Sequence, residues 1–89
     1  MGTYQIKILP TAQKELASLP GAIKKRIGKK IDSLEKNPRP PGGKMLKGKR
    51  GDFHRLRVGD YRILYQIKSE AILVIVIKIG HRREVYRGF

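Results

Sequence analysis

The chain has 89 residues, with 21 Lys or Arg against 7 Asp or Glu, a formal net charge of +14 and no cysteine. That length suits one domain, residues 1–89, with a single small core, and it excludes architectures of several domains. The charge exceeds what solubility needs and points to an anionic partner, while the lack of cysteine removes disulfide and thiol chemistry and fits a cytoplasmic location.

Nucleic acid is the first candidate partner, because Lys and Arg gain affinity by displacing counterions from phosphates. An acidic protein is the second and is compatible with the first. An anionic membrane surface ranks last, since the basic residues are not confined to one amphipathic helix with aromatic anchors.

Residues 4–9, YQIKIL, alternate as a short strand with Tyr4, Ile6 and Ile8 on one side. Pro10 suits a first helical position, and Ala12, Leu16 and Leu19 recur at helical spacing until Pro20 stops the run. A second helix is expected over residues 21–36, with Ile23, Ile27, Ile31 and Leu34 as its apolar stripe and Lys24, Lys25, Lys29 and Lys30 turned away. That lysine face fits an ordinary solvated surface as well as a nucleic-acid contact. Asn37-Pro38 ends the helix, and residues 38–52, PRPPGGKMLKGKRGD, lack any period and read as a loop pinned by Leu46. The loop has glycines but neither a GKS or GKT tail nor a following helix, so it is not a nucleotide-binding P-loop. Lys44, Lys47, Lys49 and Arg50 make it a basic rim suited to a phosphate backbone.

Two alternating strands follow, residues 53–58 and 61–67, separated by Gly59-Asp60, which suits a two-residue hairpin turn. With that turn Val58 faces Tyr61, Arg57 faces Arg62, Arg55 faces Leu64, and Phe53 faces Gln66. Leu56, Val58, Tyr61, Ile63 and Tyr65 then form a core face that His54 shares. The other face carries Arg55, Arg57 and Arg62. Like charges directly opposed across strands destabilise a sheet, so this face suits a polyanion. Residues 71–79, AILVIVIKI, are apolar almost throughout, as a strand at the centre of a sheet would be. The run is too short to span a bilayer, which takes roughly 20 residues. The expected architecture is therefore α+β: an N-terminal strand, a helical hairpin, then three antiparallel strands, giving a four-stranded sheet with helices on one face and an open arginine face on the other.

After Gly80 comes His81-Arg82-Arg83-Glu84-Val85-Tyr86. Cleavage of RNA by its own 2′-hydroxyl needs a proton acceptor, a cation for the charge developing on phosphorus and a proton donor for the 5′ oxygen. This cluster offers an imidazole, arginines and a ring for stacking. His81 equally suits a turn that caps a strand, Tyr86 a core aromatic, and His54 a buried structural role. Neither a metal nor an organic cofactor is expected, because the carboxylates and the two imidazoles show no metal-ligand spacing.

The segments NPRPPGGKMLKG, FHRLRVGDYRILYQI and VIKIGHRREVYR resemble the RelE branch of the RelE/ParE toxin superfamily. The shared pattern falls on Arg55, Arg57, Gly59, Tyr61, Arg62, Tyr65, Gly80, His81, Arg82, Val85 and Tyr86, and the order of elements is similar along the chain. The resemblance implies a ribosome-dependent mRNA endonuclease that acts in the A site against 16S rRNA contacts. It also implies an acidic RelB-like antitoxin, with the pair able to bind operator DNA. Arg62, Arg82 and Tyr86 inherit catalytic roles, joined by Arg55 and His81, while Lys44, Lys47, Lys49, Arg50, Arg57 and Arg83 are expected to hold RNA or ribosome. Some relatives carry paired lysines on the strand of Arg55, and arginine is a poor general base because it stays protonated. Two other functions compete: a ParE-like poison of DNA gyrase, and a non-enzymatic nucleic-acid-binding module.

Overall fold

The computed structural model describes residues 3–48 and 51–81. Strand β1 (Gln5–Ile8) leads into α1 (Pro10–Ala17) and α2 (Gly21–Ser33), followed by β2 (Lys44–Gly48), β3 (Gly51–Val58), β4 (Tyr61–Lys68), a short 3-10 turn (Ser69–Ala71) and β5 (Leu73–His81). The class is α+β, with two helices against one mixed sheet ordered β1-β5-β4-β3-β2. Among the described residues no helix is long and apolar enough to cross a membrane.

The sheet has five strands rather than the four expected, because the segment expected as a loop over 38–52 contains β2, paired antiparallel to β3 from Lys44 opposite Arg55 to Gly48 opposite Gly51. Its apolar signal is thin. Only Met45 and Leu46 are hydrophobic, and lysines on an edge strand serve to discourage further pairing. Adding β2 also moves the sheet's centre: β4, with Arg62 through Tyr65 all buried, takes the middle, and β5 lies between β4 and β1. β1 is at once an edge strand and the parallel neighbour of β5.

Other boundaries shift by a few residues. Helix α2 stops at Ser33, before the expected 36, where the Ser33 hydroxyl donates back to the Lys30 carbonyl at 2.6 Å. β5 starts at Leu73 because Ile72 adopts a left-handed backbone, φ 51°, after the 3-10 turn. It also runs past Gly80, to His81.

The hairpin register is the expected one, with Val58 opposite Tyr61, Arg57 opposite Arg62 and Arg55 opposite Leu64. Gly59 has φ +59° and Asp60 stays on the negative side, the combination a two-residue turn with glycine in its first central position requires. The helices cover the side of the sheet bearing Leu56, Val58, Ile63, Tyr65, Val74 and Val76, to which they contribute Ala12, Ile27 and Ile31. Glu15 on α1 accepts the Ile79 N–H at 2.9 Å, so a carboxylate satisfies a β5 donor beyond the reach of β1.

Candidate nucleic-acid interface

Strand alternation sends every second residue to the side away from the helices. On that side one row crosses four strands, since Lys44 pairs with Arg55, Arg55 with Leu64 and Leu64 with Lys78. In the next row Arg57 faces Arg62, and Arg62 faces Gly80. With strands about 4.8 Å apart and same-side residues roughly 7 Å apart along a strand, these five cations share a patch on the order of 15 Å across.

The patch is not uniformly open as expected. Arg57 is exposed and Arg55 half-buried, but Arg62 is only 9% exposed. Arg62 lies on the middle strand, and Phe53, Leu64 and Leu46 build a second small apolar cluster on the same side. Arg62 Nη1 donates to the Tyr61 carbonyl at 3.3 Å, while its buried Nε finds no acceptor among the described residues. A buried donor of this kind is a costly group to leave unmatched, and an anion brought to it removes that cost. Gly80, opposite Arg62, places no side chain in the way of a close approach. Arg57 is held at the turn, its Nε donating to the Gly59 carbonyl at 3.3 Å.

The remaining candidates divide. Lys47 pairs with Asp52 and is exposed, but alternation from Lys44 sets it on the helix side of β2. His81 pairs with Tyr61 and meets its ring edge-on at 5.4 Å, and Tyr61 packs against the main core, so His81 also starts from the helix side. His54 stacks on Tyr65 at 5.4 Å with 20° between the ring planes, as its expected core-side position implies. Burial, reinforced by Arg39 and partly opposed by Asp52, pushes its pKa down from the ordinary histidine value. The Tyr65 hydroxyl donates to the Pro38 carbonyl at 2.8 Å, and burial, partly offset by Arg39, raises its pKa to about 12. Lys49, Arg50, Arg82, Arg83 and Tyr86 lie outside the described residues.

The structure therefore brings Lys44, Arg55, Arg57 and Arg62 together and leaves Lys47 and His81 across the sheet from them. It adds Lys78, opposite Leu64, which strand alternation in the sequence alone does not single out. The available signal was a single lysine inside an otherwise apolar strand, which marks the point where one side of β5 leaves the core. Chemically, the patch is a fixed array of positive charge that can hold phosphates and stabilise added charge on phosphorus. Neither described imidazole stands on it.

Comparison with known proteins gives consistent findings. The family model for the ParE toxin of the type II toxin-antitoxin system parDE matches residues 6–86. A putative RelE-like toxin protein of Escherichia coli is 32% identical over 80 residues, covering 89% of this chain and 83% of that protein. The mRNA interferase toxin RelE of Escherichia coli K12 is 33% identical over 78 residues, covering 84% of this chain and 81% of that one. Among solved structures, the archaeal RelE–RelB complex from Pyrococcus horikoshii OT3 contains a chain that superposes with a TM-score of 0.80 at 33% identity, covering 91% of this chain and 97% of its counterpart.

Proposed function

The chain belongs to the RelE/ParE superfamily, the toxins of type II toxin–antitoxin systems, and from that premise we propose that it is an endoribonuclease that cuts mRNA in the ribosomal A site. The observation that carries this reading is the pairing of Arg57 with buried Arg62 beside Gly80, flanked by the row Lys44, Arg55, Lys78. So dense an array of positive charge on one side of a sheet suits a phosphate backbone.

In this reading the RNA backbone lies across the two rows. The message is oriented so that its 2′-hydroxyl attacks the adjacent phosphorus in line with the departing 5′ oxygen. Arg62, already desolvated and fixed, holds the charge that develops on the phosphoryl oxygens. Preorganised charge of this kind acts most strongly where water is excluded. Arg55 and Arg57 hold the flanking phosphates, with Arg83 as a further contact. We assign Arg82 and Tyr86 to the reacting centre from the family pattern alone. Neither Arg62 nor Arg55 can accept the 2′ proton, and His81 begins on the far side of the sheet, so the candidates for proton transfer are Lys44 and Lys78 on the patch, the residues that follow His81, and the ribosome-bound RNA itself.

An acidic antitoxin is the proposed partner in the cytoplasm, since a charge of +14 calls for a complementary chain and the Pyrococcus horikoshii relative is seen as a RelE–RelB complex. The family model is described as a ParE toxin, which keeps a second reading, a ParE-like chain that poisons DNA gyrase without cutting RNA. Primer extension on a message being translated separates the two. Cleavage in register with codons, seen only when ribosomes are present, is the expected result. DNA breaks that require gyrase, with the message left intact, would establish the second reading instead.

A further inference from the structure

A cleft of about 420 Å3 opens between α2 and the tip of the β3–β4 hairpin, lined by Arg26, Lys29, Lys30 and Ser33 from the helix and by Arg57 and the Gly59 turn from the sheet. Four of these side chains are cationic and exposed, and its described lining includes no carboxylate. Arg26, Lys29, Lys30 and Ser33 stand at helical spacings of three and four, so they share one side of α2, and like charges at those spacings weaken a helix.

Two guanidinium groups converge on the same glycine from opposite walls. Arg57 Nε donates to the Gly59 carbonyl at 3.3 Å, and a side chain at position 59 would meet the two terminal nitrogens of Arg26 at 3.9 and 4.0 Å. Repulsion is thus concentrated on both walls. Arg57 also belongs to the sheet-side row, where it faces Arg62.

We infer that this cleft is a second seat for RNA phosphates, continuous with the arginine patch through Arg57, so that one RNA wraps the hairpin tip and engages both sides of the molecule. Continuity with the patch favours a phosphate backbone over an acidic polypeptide, since Arg57 offers its charge to both surfaces. The inference rests on the proposed RNA reading and makes it more specific: the partner is a folded RNA with two backbone segments in reach, rather than a single strand alone.

The test is equilibrium binding of the full chain across a salt series to two RNAs blocked by 2′-O-methylation, a hexanucleotide and a longer stem-loop. The wild type is compared with the double variant Arg26→Gln, Lys30→Gln. Both residues are exposed and lie outside the arginine patch, so a melting temperature equal to that of the wild type or slightly above it is expected. The double variant should lose roughly 1.4–1.8 units from its log-log salt slope on the stem-loop, the effect of two phosphate contacts, and none on the hexanucleotide. An unchanged slope on the stem-loop, with wild-type binding intact, overturns the second seat but leaves the proposed function standing. Loss of affinity for polyglutamate with RNA slopes unchanged overturns it in favour of an acidic polypeptide. A wild type with no salt-dependent affinity for either RNA overturns this inference, while primer extension on translated message decides the proposed function separately.

Discussion

The two sides of the sheet are made by the same strands, yet they obey different rules. Toward the helices, Leu56, Val58, Ile63 and Tyr65 alternate with the arginines and close into a core that also holds Ile27 and Ile31. Away from the helices, Arg55, Arg57 and Arg62 occupy the intervening positions, beside the apolar island of Phe53, Leu64 and Leu46. One side is organised by removal of apolar surface from water. The other carries electrostatic repulsion that burial does not relieve, at Arg57 facing Arg62 most of all. Adjacent residues on β4 should therefore fail in opposite ways when changed: one in stability, the next in function.

The largest effect should come from Ile63→Ala. Ile63 is fully buried, and removing its branched side chain should cost about 2–5 kcal/mol through lost transfer energy and the cavity left behind. Chemical denaturation reads this directly. A loss below about 1 kcal/mol would show that the helix side tolerates collapse, and the contrast between the two sides would weaken.

Its neighbour, Arg62→Met, keeps the aliphatic bulk and removes the charge. Stability should change by about 1 kcal/mol or less in either direction, because repulsion from Arg57 and an unmatched buried Nε are lost together with the Tyr61 contact. Cleavage of translated message should fall on the order of a hundredfold or more. A variant that unfolds would make Arg62 a structural residue, and one that cuts normally would remove it from the proposed chemistry.

Tyr65→Phe probes the helix side in a different way. It strips the donor from the buried Pro38 carbonyl, at 2.8 Å in the wild type, and should cost about 1–3 kcal/mol near neutral pH. It should also change the alkaline limb. A phenol whose pKa rises on folding from 10.0 to about 12 keeps its proton longer in the native state. Its contribution is then complete below pH 10.0 and disappears as pH climbs toward about 12. The stability difference between wild type and variant should accordingly shrink over that interval. A difference constant with pH would mean that Tyr65 titrates alike in both states.

What the sequence made legible follows from the strength of the local signal. The β3–β4 hairpin was readable to the residue because Gly59-Asp60 leaves a single register, and from that register the division into an apolar and an arginine side follows by alternation. Strand β2 was not readable, since a lysine-rich edge strand of two hydrophobic residues between glycines looks like a loop. Once β2 is missed, nothing indicates that Lys44 and Lys47 point to opposite sides, or that Lys44 extends the arginine row. The end of β5 shifts for a related reason: Gly80 resembles a strand end, but pairing continues one residue further and sets His81 opposite Tyr61. Burial of Arg62 needed three dimensions, because it depends on the middle position of β4, which β2 itself creates. Proximity of Arg26 to Gly59 is a tertiary fact with no local signature at all.

The smallest effect separates two lysines three residues apart. Lys44 pairs with Arg55 and stands on the arginine side, whereas Lys47 pairs with Asp52 on the helix side, and both are exposed. Exposed charges contribute little to stability, so Lys44→Gln and Lys47→Gln should melt with the wild type. On a short single-stranded RNA, Lys44→Gln should remove one phosphate contact and lower the log-log salt slope by about 0.7, while Lys47→Gln should leave it unchanged. Charge alone predicts equal losses, because each variant removes one unit from the same edge strand. Equal slopes would therefore mean that RNA responds to the overall field of the domain and that the side of the sheet is immaterial. A loss confined to Lys44 would tie binding to the row that runs from Lys44 through Arg55 and Leu64 to Lys78, which is the feature that distinguishes the two sides.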